Sequence, residues 1–443
     1  MIKALIIKSN YENIKRQLSA NFNGIYEEGS CFVICQTEYD DKGNVINDVF
    51  DIIHFALELG YIYVNTIVYP SKIISEVAFN DNVRFVIWLC KDKNRLDFNK
   101  DSIREKHIWK DVEWGKRQKN YNSKGKDPGN VWIPTVDDGK AHITGHILLS
   151  DDEIIKKLLS MTNAEECNEV INDDWKSYRV NREFTNAKLK EYVLQAKVFF
   201  NTSEVMTQIK NESIKTIVTS PPYWNLKDYF KKGQIGQESY ETYVNRMSTV
   251  WKQCFYKLQK DGSLWININV RVHNNKVILI PYDIINSCKK IGFFYKGIFI
   301  WHKSSGIPAG PKNIGDHFEY ILVFSKNETF NVFLSEQSKI NDYKNNQINK
   351  GAFWNINRKA GSIGKQYIHP AIYPNELVSR VVLLSTYEGD TVSDPFLGSG
   401  TSLIASINEN RSFVGIEFND GFKELMNDRF KKELLKIIDI EYN

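Results

Sequence analysis

Two kinds of segment alternate along most of this 443-residue chain: short apolar runs typical of buried strands, and longer segments with helical spacing. In the C-terminal part, the strand-like runs include residues 214–218, 263–270, 293–301 and 413–417, which are rich in β-branched and aromatic side chains. Helical segments separate these runs, including predicted helices over residues 203–209 and 278–290, of which the second is expected to stop at Gly292. Because strand–helix alternation on this scale is typical of βαβ units, it predicts an α/β fold with a doubly wound, largely parallel sheet.

The N-terminal part repeats the pattern of the C-terminal part. It has a predicted strand over residues 83–90 and, near its end, a helix over residues 154–161 with a predicted N-cap at Ser150. Residues 2–15 align with residues 214–227, and several matched positions keep their order through both parts. Pairs of this kind are Gly29–Gly262, Gly60–Gly292, Tyr63–Tyr295, Trp132–Trp354 and His146–His369. We therefore predict that the fold is present twice, in residues 1–162 and 196–443, with a connector over residues 163–195.

A proline-containing loop, Thr219-Ser220-Pro221-Pro222-Tyr223-Trp224, follows the predicted strand 214–218. Two prolines stop the strand ladder because neither has an N–H to donate, and Pro221 disfavours the helical conformation at Ser220. The result is a stiff loop at the carboxyl end of a strand, where α/β sheets bind their ligands. A hydroxyl group, free carbonyls and the ring of Tyr223 suit a flat base that carries an exocyclic amine. An ordinary Pro-rich turn is the alternative interpretation of this loop taken alone.

A glycine-rich loop, 394–400, lies between another predicted strand and a helix that begins at Thr401. Gly398 and Gly400 would let a ligand approach the backbone, and the start of the helix offers free N–H groups. The next strand ends at Glu417, at a position where an acidic residue commonly accepts hydrogen bonds from a ribose. The third glycine of the dinucleotide pattern and the GK[ST] of the P-loop are both missing, which argues against a phosphate-binding loop.

Together, these stretches resemble the S-adenosylmethionine-dependent DNA amino-methyltransferases of restriction–modification systems, over residues 196–430. The proline loop precedes the glycine loop, which is the order of that family's beta group. In the family, S/T-P-P-Y/F usually accompanies N4-cytosine methylation and D-P-P-Y accompanies N6-adenine methylation; Ser220 stands at the discriminating position. The resemblance implies a Rossmann-like methyltransferase sheet, S-adenosylmethionine as cofactor, and a cytosine flipped out of double-stranded DNA as substrate.

The resemblance also assigns roles to individual residues. The catalytic loop would be Ser220, Pro221, Pro222 and Tyr223, with Trp224 as a further stacking surface for DNA. The family usually has Gly-Asp after the strand 198–200, whereas this chain has Asn201-Thr202, so Thr202 stands where an adenine contact is expected. The other residues that would bind the cofactor are Asp394, Phe396, Gly398, Gly400, Glu417, and His369 and Pro374 of the segment that cradles the methionine end.

Two polar stretches are candidates for DNA contact, against the alternative that they are solvated loops. A target-recognition region is predicted within residues 303–366, where Lys and Arg suit phosphates and guanine and Asn and Gln suit adenine edges. In the first copy, residues 104–126 mix basic and aromatic side chains. The basic residues of interest within residues 303–366 are Lys339, Lys344 and Arg358, and those within residues 104–126 are Lys116, Arg117 and Lys119.

The first copy lacks both loops, so we expect it to be degenerate and non-catalytic. We predict that the chain is a monomer acting as an intramolecular pseudo-dimer, because beta-group enzymes often work as dimers. Alternatives to the cytosine enzyme are an N6-adenine DNA methyltransferase, a protein or RNA methyltransferase, and a non-catalytic DNA-binding partner. A cognate restriction endonuclease is a further candidate partner.

Composition limits other functions. The net charge of +4 permits a nucleic-acid partner without demanding one. Six scattered cysteines, with Cys31 and Cys35 in an apolar run, predict buried free thiols rather than a zinc site or disulfides. The N-terminus lacks a signal peptide's apolar core, and no run has membrane-spanning length, so a cytoplasmic protein without a membrane partner is expected.

Overall fold

Most of both predicted copies is described by the computed structural model. The described residues are 2–71, 82–105, 122, 124–133, 148–164, 167–172, 192–226, 231–303, 309–310, 313–330, 351–358 and 373–443.

The N-terminal part forms one sheet with helices packed against it. Its elements are β1 (Ile2–Lys8), α1 (Tyr11–Asn21), β2 (Ile25–Cys35), β3 (Glu38–Tyr39), β4 (Val45–Asn47), α2 (Val49–Glu58), β5 (Ile62–Pro70), β6 (Val83–Cys90), α3 (Asp151–Met161) and β7 (Asn168–Ile171). The sheet order in the described residues is β5-β6-β2-β1-β7, and β3 and β4 pair separately. Strands β2, β1 and β7 are parallel, whereas β6 is antiparallel to both of its neighbours.

The C-terminal part forms a larger sheet. Its elements are β8 (Ala196–Phe200), β9 (Ile214–Thr219), α4 (Tyr240–Lys257), β10 (Leu258–Ile268), β11 (Arg271–His273), β12 (Lys276–Ile278), α5 (Ile280–Ile291), β13 (Phe294–His302), β14 (Phe318–Ser325), β15 (Phe353–Asn355), α6 (Asn375–Ser385), β16 (Thr391–Asp394), α7 (Thr401–Asn408), β17 (Ser412–Glu417), α8 (Lys423–Glu433) and β18 (Ile440–Tyr442). The order is β15-β13-β14-β10-β9-β16-β17-β8-β18. Only β14 runs antiparallel to its neighbours in this sheet as described. The α/β class and the largely parallel sheet are therefore confirmed.

The direction of chain progression reverses between β9 and β16. From β9 the chain continues through α4 to β10 on one side, and from β16 it continues through α7 to β17 on the other. Because β9 and β16 are parallel neighbours, their carboxyl ends meet at the same edge. Such a switch point is where open α/β sheets bind ligands.

The two sheets share their pairing pattern, including its irregularities. The order β1-β2-β6-β5 corresponds to β9-β10-β14-β13, with the same directions between neighbours. All four pairings β1–β2, β9–β10, β5–β6 and β13–β14 contain one break in register. These breaks fall between Ile2 and Ala4, Ile214 and Thr216, Tyr63 and Asn65, and Tyr295 and Gly297. Each break thus occurs at the corresponding place in the other sheet.

The two parts also meet through a reciprocal pair of contacts. The backbone N–H of Ala352 donates to Asn82 Oδ1 at 2.9 Å, and the N–H of His317 donates to Asn130 Oδ1 at 2.9 Å. Asn82 and His317 occupy the same place immediately before β6 and β14. Asn130 and Ala352 likewise correspond, because the Asn130 and Ala352 carbonyls accept hydrogen bonds from β5 and β13 respectively. One hydrophobic cluster extends through both parts, and a second lies mainly within the N-terminal part.

Several local signals behave as the sequence predicts. Ser150 forms a capping box with Glu153 at the start of α3, and Gly292 follows α5 in a left-handed conformation with φ +115°. The thiols of Cys31 and Cys35 are buried and free. In the described part of the chain, no helix combines the length and apolar character that crossing a membrane requires.

Other predictions were wrong or incomplete. The helix predicted over residues 203–209 is a series of turns. The Ser203 hydroxyl donates to the Pro395 carbonyl, and the Thr202 hydroxyl accepts from the Glu204 N–H, so local side-chain bonds compete with the helix there. Helix α1 was not predicted. Strand β7 lies inside the predicted connector and pairs with β1.

Candidate functional site at the switch point

The proline loop and the glycine loop are joined by a buried hydrogen bond. Thr219, the last residue of β9, donates from Oγ1 to Asp394 Oδ1 at 2.7 Å, at the end of β16. The fully buried Asp394 carboxylate also accepts from the Ser402 and Tyr373 hydroxyls. Burial raises the pKa of Asp394, and these hydrogen bonds oppose the rise. The two loops are therefore held in fixed relation by one carboxylate.

The proline loop is anchored from its far side. Tyr243 of α4 donates from its hydroxyl to the Pro222 carbonyl at 2.9 Å, and Trp224 Nε1 donates to the Glu238 carbonyl at 2.8 Å. Ser220 is half-buried and Pro221 is buried. The anchoring helix thus uses the carbonyl of Pro222, and not that of Pro221.

The Tyr223 hydroxyl is held by a charged cluster that the sequence analysis missed. It donates to Glu319 Oε2 at 2.8 Å; Asn267 Nδ2 donates to the same oxygen at 2.6 Å, and Lys303 Nζ lies 3.0 Å from Glu319 Oε1. Asn267 is in β10, Glu319 is in β14, and Lys303 directly follows β13. One available signal was a single acid, Glu319, inside an otherwise apolar strand.

The glycine loop is tied to the end of the next strand. Gly398 N–H donates to Glu417 Oε2 at 2.7 Å, and Asn419 N–H donates to Glu417 Oε1 at 2.7 Å. Burial raises the pKa of the Glu417 carboxyl to about 7. The carboxylate oxygens keep lone pairs that can accept further donors.

Gly400 of the loop meets a packing requirement as well as a special backbone conformation. Gly398 and Gly400 both have positive φ, at +56° and +86°. A Cβ on Gly400 would lie 2.5 Å from Phe430 Cε1, so this residue allows α8 to pack closely. This packing requirement adds to the ligand approach predicted for Gly400, which stays a prediction. Gly400 also begins α7 without a side-chain cap, so the first turn keeps N–H groups for a ligand or water.

Of the remaining predicted cofactor residues, those that the structure describes lie around the same edge of the sheet. The Phe396 N–H donates to Asp394 Oδ1 at 2.9 Å, and its ring is half-buried. Pro374 immediately precedes α6. Thr202 follows Asn201, whose N–H donates to the Glu417 carbonyl at 3.0 Å.

The structure describes two of the predicted DNA-binding residues. Trp224 belongs to the proline loop, and Arg358 is exposed beyond β15. The other residues predicted for DNA or cofactor contact lie outside the described residues: His369, Lys339, Lys344, Lys116, Arg117 and Lys119.

The corresponding edge of the N-terminal sheet is occupied differently. Lys8 aligns with Ser220, and its ammonium group is buried 2.5 Å from Asp151 Oδ2. The Tyr69 hydroxyl donates to the other oxygen of Asp151 at 3.1 Å. An ion pair therefore fills the place where the second sheet presents a hydroxyl group.

The C-terminal edge combines groups that fit a nucleoside ligand beside a flat base. Glu417 offers acceptors for ribose hydroxyls, Phe396 offers an aromatic surface, and the first turn of α7 offers N–H donors. Ser220, Pro221 and Tyr223 lie on the neighbouring loop, connected through Thr219 and Asp394.

Comparisons with known proteins point to the same part of the chain. A family model described as DNA methylase matches residues 214–428. The Type II methyltransferase M.Cfr9I of Citrobacter freundii is 29% identical, over 53% of this chain and 87% of its own length. The DNA adenine methyltransferase YhdJ of Escherichia coli K12 is 31% identical, over 49% of this chain and 76% of its own length.

Solved structures of other proteins are also similar to part of this chain. The cytosine-N4-specific PvuII DNA methyltransferase is 21% identical with a TM-score of 0.45, over 56% of this chain and 90% of that chain. The Thermus thermophilus protein TTHA0409, in complex with S-adenosyl-L-methionine, is 27% identical with a TM-score of 0.44, over 56% of this chain and 99% of that chain.

Proposed function

The chain belongs to the DNA methylase family and uses S-adenosylmethionine as its cofactor; from this premise we propose that it methylates the exocyclic N4 of a cytosine flipped out of duplex DNA. We further propose that it is the methyltransferase of a restriction–modification system. The observation that carries the proposal is the 2.7 Å hydrogen bond from Thr219 to Asp394. It fixes a loop suited to an amino-bearing base beside a loop suited to a nucleoside.

The described residues fit the cofactor. Glu417 would accept hydrogen bonds from ribose hydroxyls while it keeps the Gly398 N–H. Phe396 would contact the adenine ring, with Thr202 and Pro374 nearby, and Asp394 would keep the loop in place. When bound, S-adenosylmethionine supplies a methyl group on a positively charged sulfur.

The proline loop would orient the target amine. Ser220 Oγ and the Pro221 carbonyl would accept hydrogen bonds from the two N4 hydrogens, which draws the nitrogen lone pair out of conjugation with the ring. The lone pair would then point away from the plane of the base. Catalysis would come mainly from this positioning.

Tyr223 would stack on the flipped base, whose extrusion from the duplex costs a few kcal/mol. The hydrogen bond from its hydroxyl to Glu319 fixes the ring before DNA arrives. Asn267 and Lys303 hold the Glu319 carboxylate in turn. A ring that is already ordered loses less entropy on binding the base.

N6-adenine is the second candidate target. The relative YhdJ is a DNA adenine methyltransferase. The same two acceptors could hold the amine of adenine. Ser220, in place of the aspartate of D-P-P-Y loops, favours cytosine.

We propose that residues 1–162 are a degenerate duplicate of residues 196–443, joined through residues 163–195. The shared breaks in strand register support this. The reciprocal contacts of Asn82 with Ala352 and of His317 with Asn130 support an intramolecular pseudo-dimer with an approximate two-fold axis.

The two copies would have different roles. The Lys8–Asp151 ion pair makes the first copy unsuited to a flipped base. Its proposed contribution is DNA contact through residues of the 104–126 stretch. Target recognition is proposed for residues 303–366 of the second copy. The residues proposed to contact DNA are Lys116, Arg117, Lys119, Lys339, Lys344 and Arg358.

A methyl-transfer assay tests the proposed activity. Purified protein, duplex DNA and S-adenosylmethionine labelled in the methyl group should give labelled DNA, whereas a protein or RNA substrate should stay unlabelled. Absence of label in DNA of varied sequence would contradict the proposed function.

A further inference from the structure

A short β-hairpin lies beside the proline loop and has no role in the function described so far. Strands β11 and β12 follow β10 at the carboxyl edge of the sheet. The turn residues Asn274 and Asn275 both have positive φ, at 49° and 59°. Two such residues make the tight hairpin turn whose twist matches that of its strands. The hairpin tip is therefore rigid although it contains no glycine.

The hairpin is fixed to the proline loop by two contacts. The Arg271 guanidinium donates to the Asn225 carbonyl, directly after Trp224. The His273 ring lies 5.1 Å from the Trp224 ring in an edge-to-face arrangement. Trp224 contacts Tyr240 of α4 on another side, at 5.2 Å. The position of the hairpin is thus determined by the same loop that presents Ser220.

The basic side chains of the hairpin share one face. His273 pairs with Lys276 and Arg271 pairs with Ile278, whereas Val272 and Val277 lie on the opposite face. Among the described residues, neither Arg271 nor Lys276 forms an ion pair with a carboxylate. Asn274, Asn275 and Lys276 are exposed. The ribbon therefore presents positive charge and carboxamides next to the proposed base-binding loop.

We propose that this hairpin is a DNA-contacting element that binds the duplex beside the flipped base. The inference rests on the proposed function. A two-stranded β-ribbon fits the major groove, where carboxamides can bond base edges. Lys276 contacts a backbone phosphate, and the Asn274 and Asn275 carboxamides contact base edges at the tip. Arg271 and His273 position the ribbon on the proline loop.

Two variants and one control test the inference by DNA affinity as a function of salt concentration. Lys276→Gln should weaken binding to a mixed-sequence duplex and reduce the slope of log affinity against log salt by about 1. The double variant Asn274→Gly, Asn275→Gly keeps the turn conformation and removes two uncharged groups. It should weaken binding at every salt concentration without changing the slope. Lys260→Gln, an exposed lysine near the amino end of β10, is the matched control.

Calorimetry with S-adenosylmethionine separates a DNA contact from damage to the fold. All three variants should bind the cofactor as the wild type does. If Lys276→Gln keeps the affinity and slope of Lys260→Gln, the inference is wrong while the proposed function stands. If Lys276→Gln loses cofactor affinity, the hairpin supports the fold, and the inference is also wrong. A wild-type protein that binds no duplex would overturn both the inference and the proposed function.

Discussion

Ser220 is the residue that we propose determines which amine the proline loop can hold. Ser220→Ala removes one of the two proposed acceptors for N4 and leaves the loop's proline backbone intact. We expect kcat for methyl transfer to fall about a hundredfold, as for other preorganised hydrogen-bonding groups at a reacting centre. Ser213→Ala, just before the opposite end of β9, is the control and should keep the wild-type rate. An unchanged rate in Ser220→Ala with normal cofactor binding would refute the role of Ser220.

Glu417 gives a prediction about pH. Burial penalises the charged form, so the Glu417 carboxyl is protonated in part of the population until the pH exceeds about 7. The ionised group is the stronger acceptor for ribose hydroxyls. Affinity for S-adenosylmethionine should therefore rise as pH increases through about 7.

The isosteric Glu417→Gln variant is the control for that titration. It should bind the cofactor more weakly, and the pH dependence near 7 should disappear. Calorimetry at several pH values measures both effects. A dependence that persists in Glu417→Gln must come from another group, and the assignment of Glu417 would then be wrong.

At the scale of elements, the hydrogen bond that fixes Tyr223 of the proline loop depends on the ends of strands β10, β13 and β14. Tyr223→Phe removes the hydrogen bond to the Glu319 carboxylate, and Glu319→Gln replaces that carboxylate with a weaker, neutral acceptor; hydrogen bonds to charged groups contribute about 2 kcal/mol. Each variant should slow methyl transfer by about tenfold, and the double variant should be no slower than the slower single variant.

Two further measurements make the Tyr223 test specific. Tyr256→Phe, an exposed tyrosine on α4, should have the wild-type rate. Cofactor affinity should be unchanged in all variants. If the two effects multiply in the double variant, Glu319 acts independently of the Tyr223 ring.

The elements also show what sequence patterns can and cannot give. The pattern predicted the strand at residues 83–90 with its observed bounds, because an apolar run bounded by polar residues is a local signal. It failed at residues 203–209, where a hydrogen bond from Ser203 to the distant Pro395 replaces helical bonds. The Glu319 cluster was missed because its members meet only after three separate strands have assembled.

At the scale of the whole molecule, a matched pair of substitutions tests the reciprocal contacts between the two parts. A Cβ on Gly351 would lie 2.1 Å from Asn82 Oδ1, and a Cβ on Gly129 would lie 2.2 Å from His317 Nδ1. Gly351→Ala and Gly129→Ala should each destabilise the protein by about 1–3 kcal/mol through overpacking.

Thermal unfolding measures this prediction, with Gly310→Ala as the control because its Cβ would meet nothing within 4 Å. If a two-fold axis relates the two contacts, the two substitutions should lower Tm by similar amounts. A Tm for Gly351→Ala equal to that of Gly310→Ala would argue against close packing of the two parts at Gly351.

Matched residues such as Trp132 and Trp354 allowed the duplication to be proposed from the sequence. The sequence could not give the shared register breaks or the contacts between the parts, because both depend on backbone geometry and not on residue type. It also could not reveal that Lys8 forms an ion pair with Asp151, which lies far along the chain.

We propose that the joined loops methylate N4 of cytosine. The most direct measurement is mass spectrometry of nucleosides from the digested DNA of cells that express the protein, with Ser220→Ala cells as the reference. We expect N4-methylcytosine in the wild-type DNA and its loss in the variant. N6-methyladenine without N4-methylcytosine, or no methylated nucleoside beyond that of cells lacking the protein, would contradict it.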